Sequence, residues 1–132
     1  MAWVVIVTVL ALAQFIGFGI LVGGARARYK VSAPATTGNE IFERYFRVQM
    51  NTLELVVLFV PAIWLFAVLV SANWAAGLGA VYLVGRMVYL RSYIREPKSR
   101  SLGFGLSALP ILIMLGWVLC VAIFRLLGHP PA

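Results

Sequence analysis

Apolar residues gather into long runs along this chain, from about Ala2 to Gly24, Val48 to Val70, Trp74 to Tyr93 and Leu102 to Leu127. A helix needs roughly 20 mostly apolar residues to cross a bilayer. The pattern therefore predicts an all-α, integral-membrane four-helix bundle, organised as a single domain over residues 1–132. Only Ser71-Ala72-Asn73 separates the second and third runs, which predicts a tight antiparallel hairpin. A cleaved leader is the alternative for the first run. That run lacks a positively charged start, is too long, and ends in Gly23-Gly24-Ala25, a poor cleavage site.

Polar punctuation refines the boundaries. Val31-Ser32-Ala33-Pro34-Ala35-Thr36-Thr37-Gly38 is turn-rich and uncharged. Asn39 follows as a helix cap, with Glu40 and Glu43 in the first turn, where the helix dipole favours anions. The second helix therefore begins outside the apolar core and carries Arg44 and Arg47 towards it. Pro97 ends the third helix.

Composition agrees with the membrane reading, since 63% of the residues are hydrophobic and the mean hydropathy is +0.99. The net charge of +7 is concentrated. Arg26, Arg28, Lys30, Arg44 and Arg47 flank the first connection, and Arg86, Arg91, Arg95, Lys98 and Arg100 lie in or beside the third. By the positive-inside rule both connections are cytoplasmic and both termini lie on the opposite side. Topology and contact with lipid phosphates account for part of this charge. The cations hug membrane ends, so no nucleic-acid partner is expected. The same pattern fits a bacterial inner membrane or the endoplasmic reticulum.

The candidate chemistry begins on the second helix. Arg47, Asn51 and Glu54 share one face at helical spacing, so a cation, an amide and a carboxylate enter an apolar segment together. Charges at that depth are costly unless they pair or hold a polar ligand. Without ligand, Glu54 is expected to pair with Arg47 or another local cation. Arg86, Tyr89 and Tyr93 share a face of the third helix, which taken alone favours an interfacial aromatic belt. Arg100 precedes the fourth helix, where a membrane-end anchor is the simple reading. Convergence argues for more, because the start of helix two and the junction of helices three and four meet on one side. Elsewhere the chain offers little. Cys120 is expected to be a small buried hydrophobe, and His129 stands alone in the tail, so no metal site is expected. Gly103 and Gly105 follow no strand and are no dinucleotide loop. Gly17 and Gly19 are expected to permit close helix approach.

The turn Val31–Gly38, the segment Phe42-Glu43-Arg44-Tyr45-Phe46-Arg47-Val48-Gln49-Met50-Asn51 and the stretch Val81-Tyr82-Leu83-Val84-Gly85-Arg86-Met87-Val88-Tyr89 carry a resemblance. They resemble the MAPEG superfamily, membrane-associated proteins of eicosanoid and glutathione metabolism, and within it the leukotriene C4 synthase and microsomal glutathione S-transferase branches. The resemblance covers nearly the whole chain. It implies a homotrimer with glutathione as co-substrate, bound between neighbouring subunits, and a lipophilic electrophile or lipid hydroperoxide reaching the site from the membrane lipids. It further implies that Arg47, Asn51, Glu54, Tyr89 and Tyr93 contact glutathione from one subunit. Arg26 and Gln49 would contact it from the neighbour, and Arg100 would be the catalytic cation stabilising the thiolate.

Those residue types suit that ligand. Guanidinium forks bind carboxylates in bidentate fashion, and Glu54 suits the amine. The sequence also departs from the leukotriene C4 synthase pattern. Leu55 replaces a tyrosine contact, and Ala27 replaces a second arginine, for which Arg28 could substitute only through a backbone shift. A generalist transferase, with peroxidase activity possible on the same thiolate, is therefore expected over leukotriene synthesis. The competing classes are a non-catalytic lipid-binding scaffold, like the five-lipoxygenase-activating member of the superfamily, and a small multidrug exporter. Retention of Arg100 with Arg47, Asn51 and Glu54 weighs against the scaffold. The absence of an acid in the first run weighs against the exporter.

Overall fold

The computed structural model describes residues 1–128, so His129 lies outside the described residues. Four helices follow in order: α1 (Ala2–Tyr29), α2 (Glu40–Leu69), α3 (Ala72–Arg95) and α4 (Ser101–Leu126), with a single 3-10 turn at Pro97–Ser99 before α4. The chain is thus the expected all-α membrane bundle. Its boundaries are set locally. The Asn39 side-chain oxygen accepts from the Phe42 N–H at 3.0 Å and caps α2. Ser71 caps α3 by accepting from the Trp74 N–H at 3.2 Å, which tightens the hairpin to Val70 and Ser71. Pro97 stops α3 because it lacks an N–H and forces Glu96 into extended backbone, φ −155°.

Three helices are long and apolar enough to cross a membrane: α1, α2 and the segment Pro97–Leu126. The expected fourth span, α3, is not among them, since Arg86, Asn73 and the glycines Gly77, Gly79 and Gly85 make its central stretch less apolar. With 24 residues it is still about 36 Å long, enough for a hydrocarbon core of about 30 Å. Its deepest charge, Arg86, is turned inward and fully buried. Large apolar side chains such as Ile20, Val68, Trp74 and Leu112 point outward instead.

The central pair α2 and α3 each pack against every other helix, and α1 and α4 flank that pair. The core is built from Val4, Val7 and Ala11 of α1, Phe59, Ile63 and Phe66 of α2, Tyr82 of α3 and Ile111, Met114 and Val118 of α4. The Phe59 and Tyr82 rings stack 4.0 Å apart at the centre. Lipid is as apolar as leucine, so close packing and interhelical hydrogen bonds must hold such helices together. Trp64 Nε1 donates to Thr8 Oγ1 at 3.1 Å, joining α2 to α1. Gln14 Nε2 donates to the Leu83 carbonyl at 3.0 Å, joining α1 to α3. Helices α3 and α4 nearly touch, since a Cβ on Gly85 would lie 2.7 Å from the Ser107 nitrogen and one on Gly103 would overlap the Tyr89 backbone.

Two expectations are corrected here. Gly17 does not mediate a close approach, since a Cβ there would meet nothing within 4 Å; Gly19 does lie against the Gln49 amide. Cys120 is exposed rather than buried. The inward stripe of α4 runs Gly103, Ser107, Pro110, Ile111, Met114, Val118, Val121, and Cys120 falls off it. In a bilayer an apolar side chain has no need of protein cover, so apolar character alone does not predict burial.

Candidate active site

The polar centre of the bundle is Arg86. Its Nε donates to Ser107 Oγ at 2.8 Å, and its Nη1 donates to Asn51 Oδ1 at 2.8 Å and to Thr52 Oγ1 at 3.1 Å. The acceptors are pre-aimed. The Thr52 and Ser107 hydroxyls donate their own protons to the carbonyls of Val48 and Gly103, each at 2.7 Å, which leaves their lone pairs for the guanidinium. The same guanidinium lies 4.4 Å over the Tyr89 ring. One side chain therefore fastens α2, α3 and α4 together. Its Nη2 is buried without a partner, and no carboxylate among the described residues pairs with it. The sequence reading placed Arg86 on a face with Tyr89 but gave it no role. Its signal was a charge deep inside an apolar helix. Its partners, Thr52 and Ser107, carry no mark in the sequence.

Tyr89 is buried against this centre, which overturns the aromatic-belt reading for it. Its ring stacks 5.5 Å from Tyr93 and lies 6.5 Å from Phe104. It sits within electrostatic range of Arg86, Tyr93, Arg100 and Glu54. The structure thus stacks Tyr89 on Tyr93 and joins Asn51 to Tyr89 through Arg86, with Glu54 and Arg100 in electrostatic range of Tyr89 only. Asn51 spends its carbonyl on Arg86, so its amide Nδ2 is what it can offer a ligand.

Arg47, Glu54 and Arg100 are exposed. Glu54 makes no ion pair with Arg47 or with any other described residue, contrary to expectation. The reason is distance, since seven residues separate them by about 10 Å along the helix. Arg100 leads into α4 and donates from Nη1 only to the Pro97 carbonyl, at 3.2 Å. Arg44, by contrast, is a fastener: Nη1 donates to the Ile94 carbonyl at 2.8 Å and Nη2 pairs with Glu40 at 2.9 Å.

Arg26 and Gln49 are not brought to this group. Arg26 Nη1 donates to the Ala35 carbonyl at 2.7 Å, and its guanidinium lies 4.8 Å over Phe42, which braces the first connection. Gln49 rests on α1 at Gly19. Arg47 and Gln49 are two residues apart and so about 200° apart around α2. One chain therefore presents its predicted residues on two separate faces. Arg28 lies 5.5 Å over the ring of Tyr29, on an unbroken helix. No backbone shift brings it to the position of Ala27.

A family model described as the MAPEG family matches residues 4–120. Among relatives, the chain is 44% identical over 124 residues to an uncharacterized protein of a Synechocystis species, covering 94% of this chain and 90% of that one. It is 39% identical over 112 residues to Homo sapiens microsomal glutathione S-transferase 2, covering 83% and 76%. It is 34% identical over 113 residues to Bos taurus leukotriene C4 synthase, covering 85% and 72%.

Proposed function

The chain belongs to the MAPEG family, and from that membership we propose that it is a membrane glutathione S-transferase acting on lipophilic electrophiles. The observation that carries the reading is the placing of Tyr93, Arg100 and Glu54 within electrostatic range of the buried Tyr89, whose ring lies under Arg86. Local charge supports it. Arg47 and Arg100 are exposed there with one carboxylate, Glu54, and the buried Arg86 lies behind them, so the region carries an excess of positive charge. Glutathione has two carboxylates and one amine, and ionising its thiol adds a second net negative charge. The thiolate form is therefore the one this face favours.

In this reading Arg47 takes a carboxylate, Glu54 takes the amine, and Asn51 Nδ2 with the Tyr89 and Tyr93 hydroxyls takes the peptide groups. Arg100 stands by the sulfur. The thiol releases its proton to water. The thiolate pair then forms a C–S bond with the electrophile as the leaving group departs or an epoxide C–O bond opens. An apolar electrophile dissolved in the bilayer would reach this face from the side, which gives a reason for a glutathione enzyme to sit among lipids.

The two-faced distribution supports a homotrimer. Arg26 and Gln49 of a neighbouring copy would close the open face that carries Arg47 and Arg100. Mixed oligomers test this. Arg26→Ala and Arg47→Ala chains are each expected to be nearly inactive alone, yet their co-expressed mixture should regain activity, because some interfaces then hold both wild-type arginines. A mixture no more active than its parents, or a monomeric mass in detergent, overturns the shared site. The activity itself is tested with purified protein, glutathione and a panel containing an aryl halide, a lipid hydroperoxide and a leukotriene epoxide. Conjugation of the aryl halide is expected. Binding of lipid without measurable glutathione affinity would instead favour the scaffold reading.

A further inference from the structure

We propose that the seam between α1 and α3 is a binding site for one anionic phospholipid per chain, separate from the glutathione face. Two cavities lie along that seam, and a third continues them between α1 and Tyr45 of α2. An open, shallow groove of about 610 Å³ lies between Leu10, Ala13 and Gln14 of α1 and Leu83, Val84, Met87, Val88 and Arg91 of α3. Arg91 also lines the next cavity, of about 550 Å³, with Leu21, Tyr45, Ser92 and Arg95. Leu21 and Tyr45 in turn line a third, of about 370 Å³, which ends at Gly24, Arg28 and Tyr29. The shared residues make these one continuous groove.

Its construction is amphipathic along its length. On α1 the positions Leu10, Ala13, Gly17, Leu21, Gly24 and Arg28 recur every three or four residues and form one stripe. Gly17 and Gly24 lie on that stripe where an added Cβ would meet nothing within 4 Å, so the absence of side chains leaves the groove open. The Gln14 bond to Leu83 holds the two walls together. The end at Leu10, Ala13, Leu83 and Met87 is lined almost wholly by apolar side chains and suits an acyl chain. The other end carries Arg28, Arg91 and Arg95, all exposed, with no carboxylate paired to any of them among the described residues. Ser92 and Tyr45 add polar groups beside them. Unpaired guanidinium groups at the mouth of an apolar slot match a phosphate joined to acyl chains. A zwitterionic headgroup would bring a cation of its own to the same place, so the charge pattern selects an anionic lipid.

The test is native mass spectrometry of the intact protein in detergent, titrated with phosphatidylglycerol, phosphatidylcholine or inorganic phosphate. One phosphatidylglycerol per chain is expected to be retained in preference to phosphatidylcholine. Arg91→Gln with Arg95→Gln should weaken retention roughly thirtyfold, the size that two juxtamembrane cations contribute together. A control of equal charge change, Lys98→Gln with Arg125→Gln, should stay within about twofold of wild type. Ala13→Trp should also reduce retention, by filling the apolar end, while thermal unfolding shows the bundle intact. The proposal is overturned if both lipids bind alike, or if inorganic phosphate competes as well as the lipid does. It is also overturned if the control pair loses as much as the Arg91 and Arg95 pair, because a diffuse positive field then explains the binding.

Discussion

Substituting Arg86 by methionine is expected to cost about 2–3 kcal/mol of stability, because the buried acceptors of Asn51, Thr52 and Ser107 lose their charged donor. The guanidinium makes hydrogen bonds to Ser107, Asn51 and Thr52 and stacks on Tyr89, and no second residue can replace it at all of these places. Charge-assisted hydrogen bonds are individually worth about 1.5–3 kcal/mol, and a desolvated cation–π contact adds about 2. These terms are not additive, and the buried, unpaired charge is itself a cost, so the net loss lies well below their sum. Methionine fills most of the volume but satisfies none of the acceptors. Arg86→Lys should be intermediate, because an ammonium on a flexible stem lacks the planar fork that reaches α2 and α4 together. Thermal unfolding in detergent is the measurement. A loss below about 1 kcal/mol for Arg86→Met would mean that close packing at Gly85 and Gly103 already holds α3 to α4. Freed of Arg86, Asn51 can also turn, so glutathione affinity should fall in the Arg86→Lys variant even where the fold survives.

The second large effect concerns Arg100 and the sulfur. A unit charge about 4 Å away at an effective dielectric near 20 is worth roughly 4 kcal/mol before desolvation is subtracted. Half of that lowers the bound thiol by more than one pKa unit, since one unit is about 1.4 kcal/mol. A free thiol titrates near 8.5. The sign is set by the cation, which favours the thiolate and so depresses the value; removing it lets the value rise back. Arg100→Ala should therefore bind glutathione nearly normally, lose thiolate absorbance near neutral pH, and conjugate at least tenfold more slowly there. Its rate should recover as pH rises through the free-thiol range, because ionisation no longer needs the cation. Arg100 is well placed to be removed cleanly, since it is exposed and its protein bond is to the Pro97 carbonyl alone. Ultraviolet difference titration of bound glutathione decides the matter. Equal thiol pKa values in wild type and Arg100→Ala would remove Arg100 from the chemistry.

Helix existence and helix ends were legible in the residues themselves. Backbone hydrogen bonds run only four residues along the chain, and caps act within one turn. Asn39, Ser71 and Pro97 therefore mark their boundaries without reference to anything distant. The clustering of cations at one end and the shared face of Arg47, Asn51 and Glu54 are local facts of the same kind. Which face of each helix turns inward was decided by the tertiary structure. In a soluble bundle the apolar stripe marks the core, but these helices are apolar on nearly every side, because lipid solvates what the protein does not cover. So Cys120 faces outward, Gly17 meets open space, and Gly85 and Gly103 make the contacts that bring α3 against α4. So too Arg86 became the polar centre of the bundle, since its partners Asn51, Thr52 and Ser107 lie between 21 and 35 residues away and meet it only once three helices have packed.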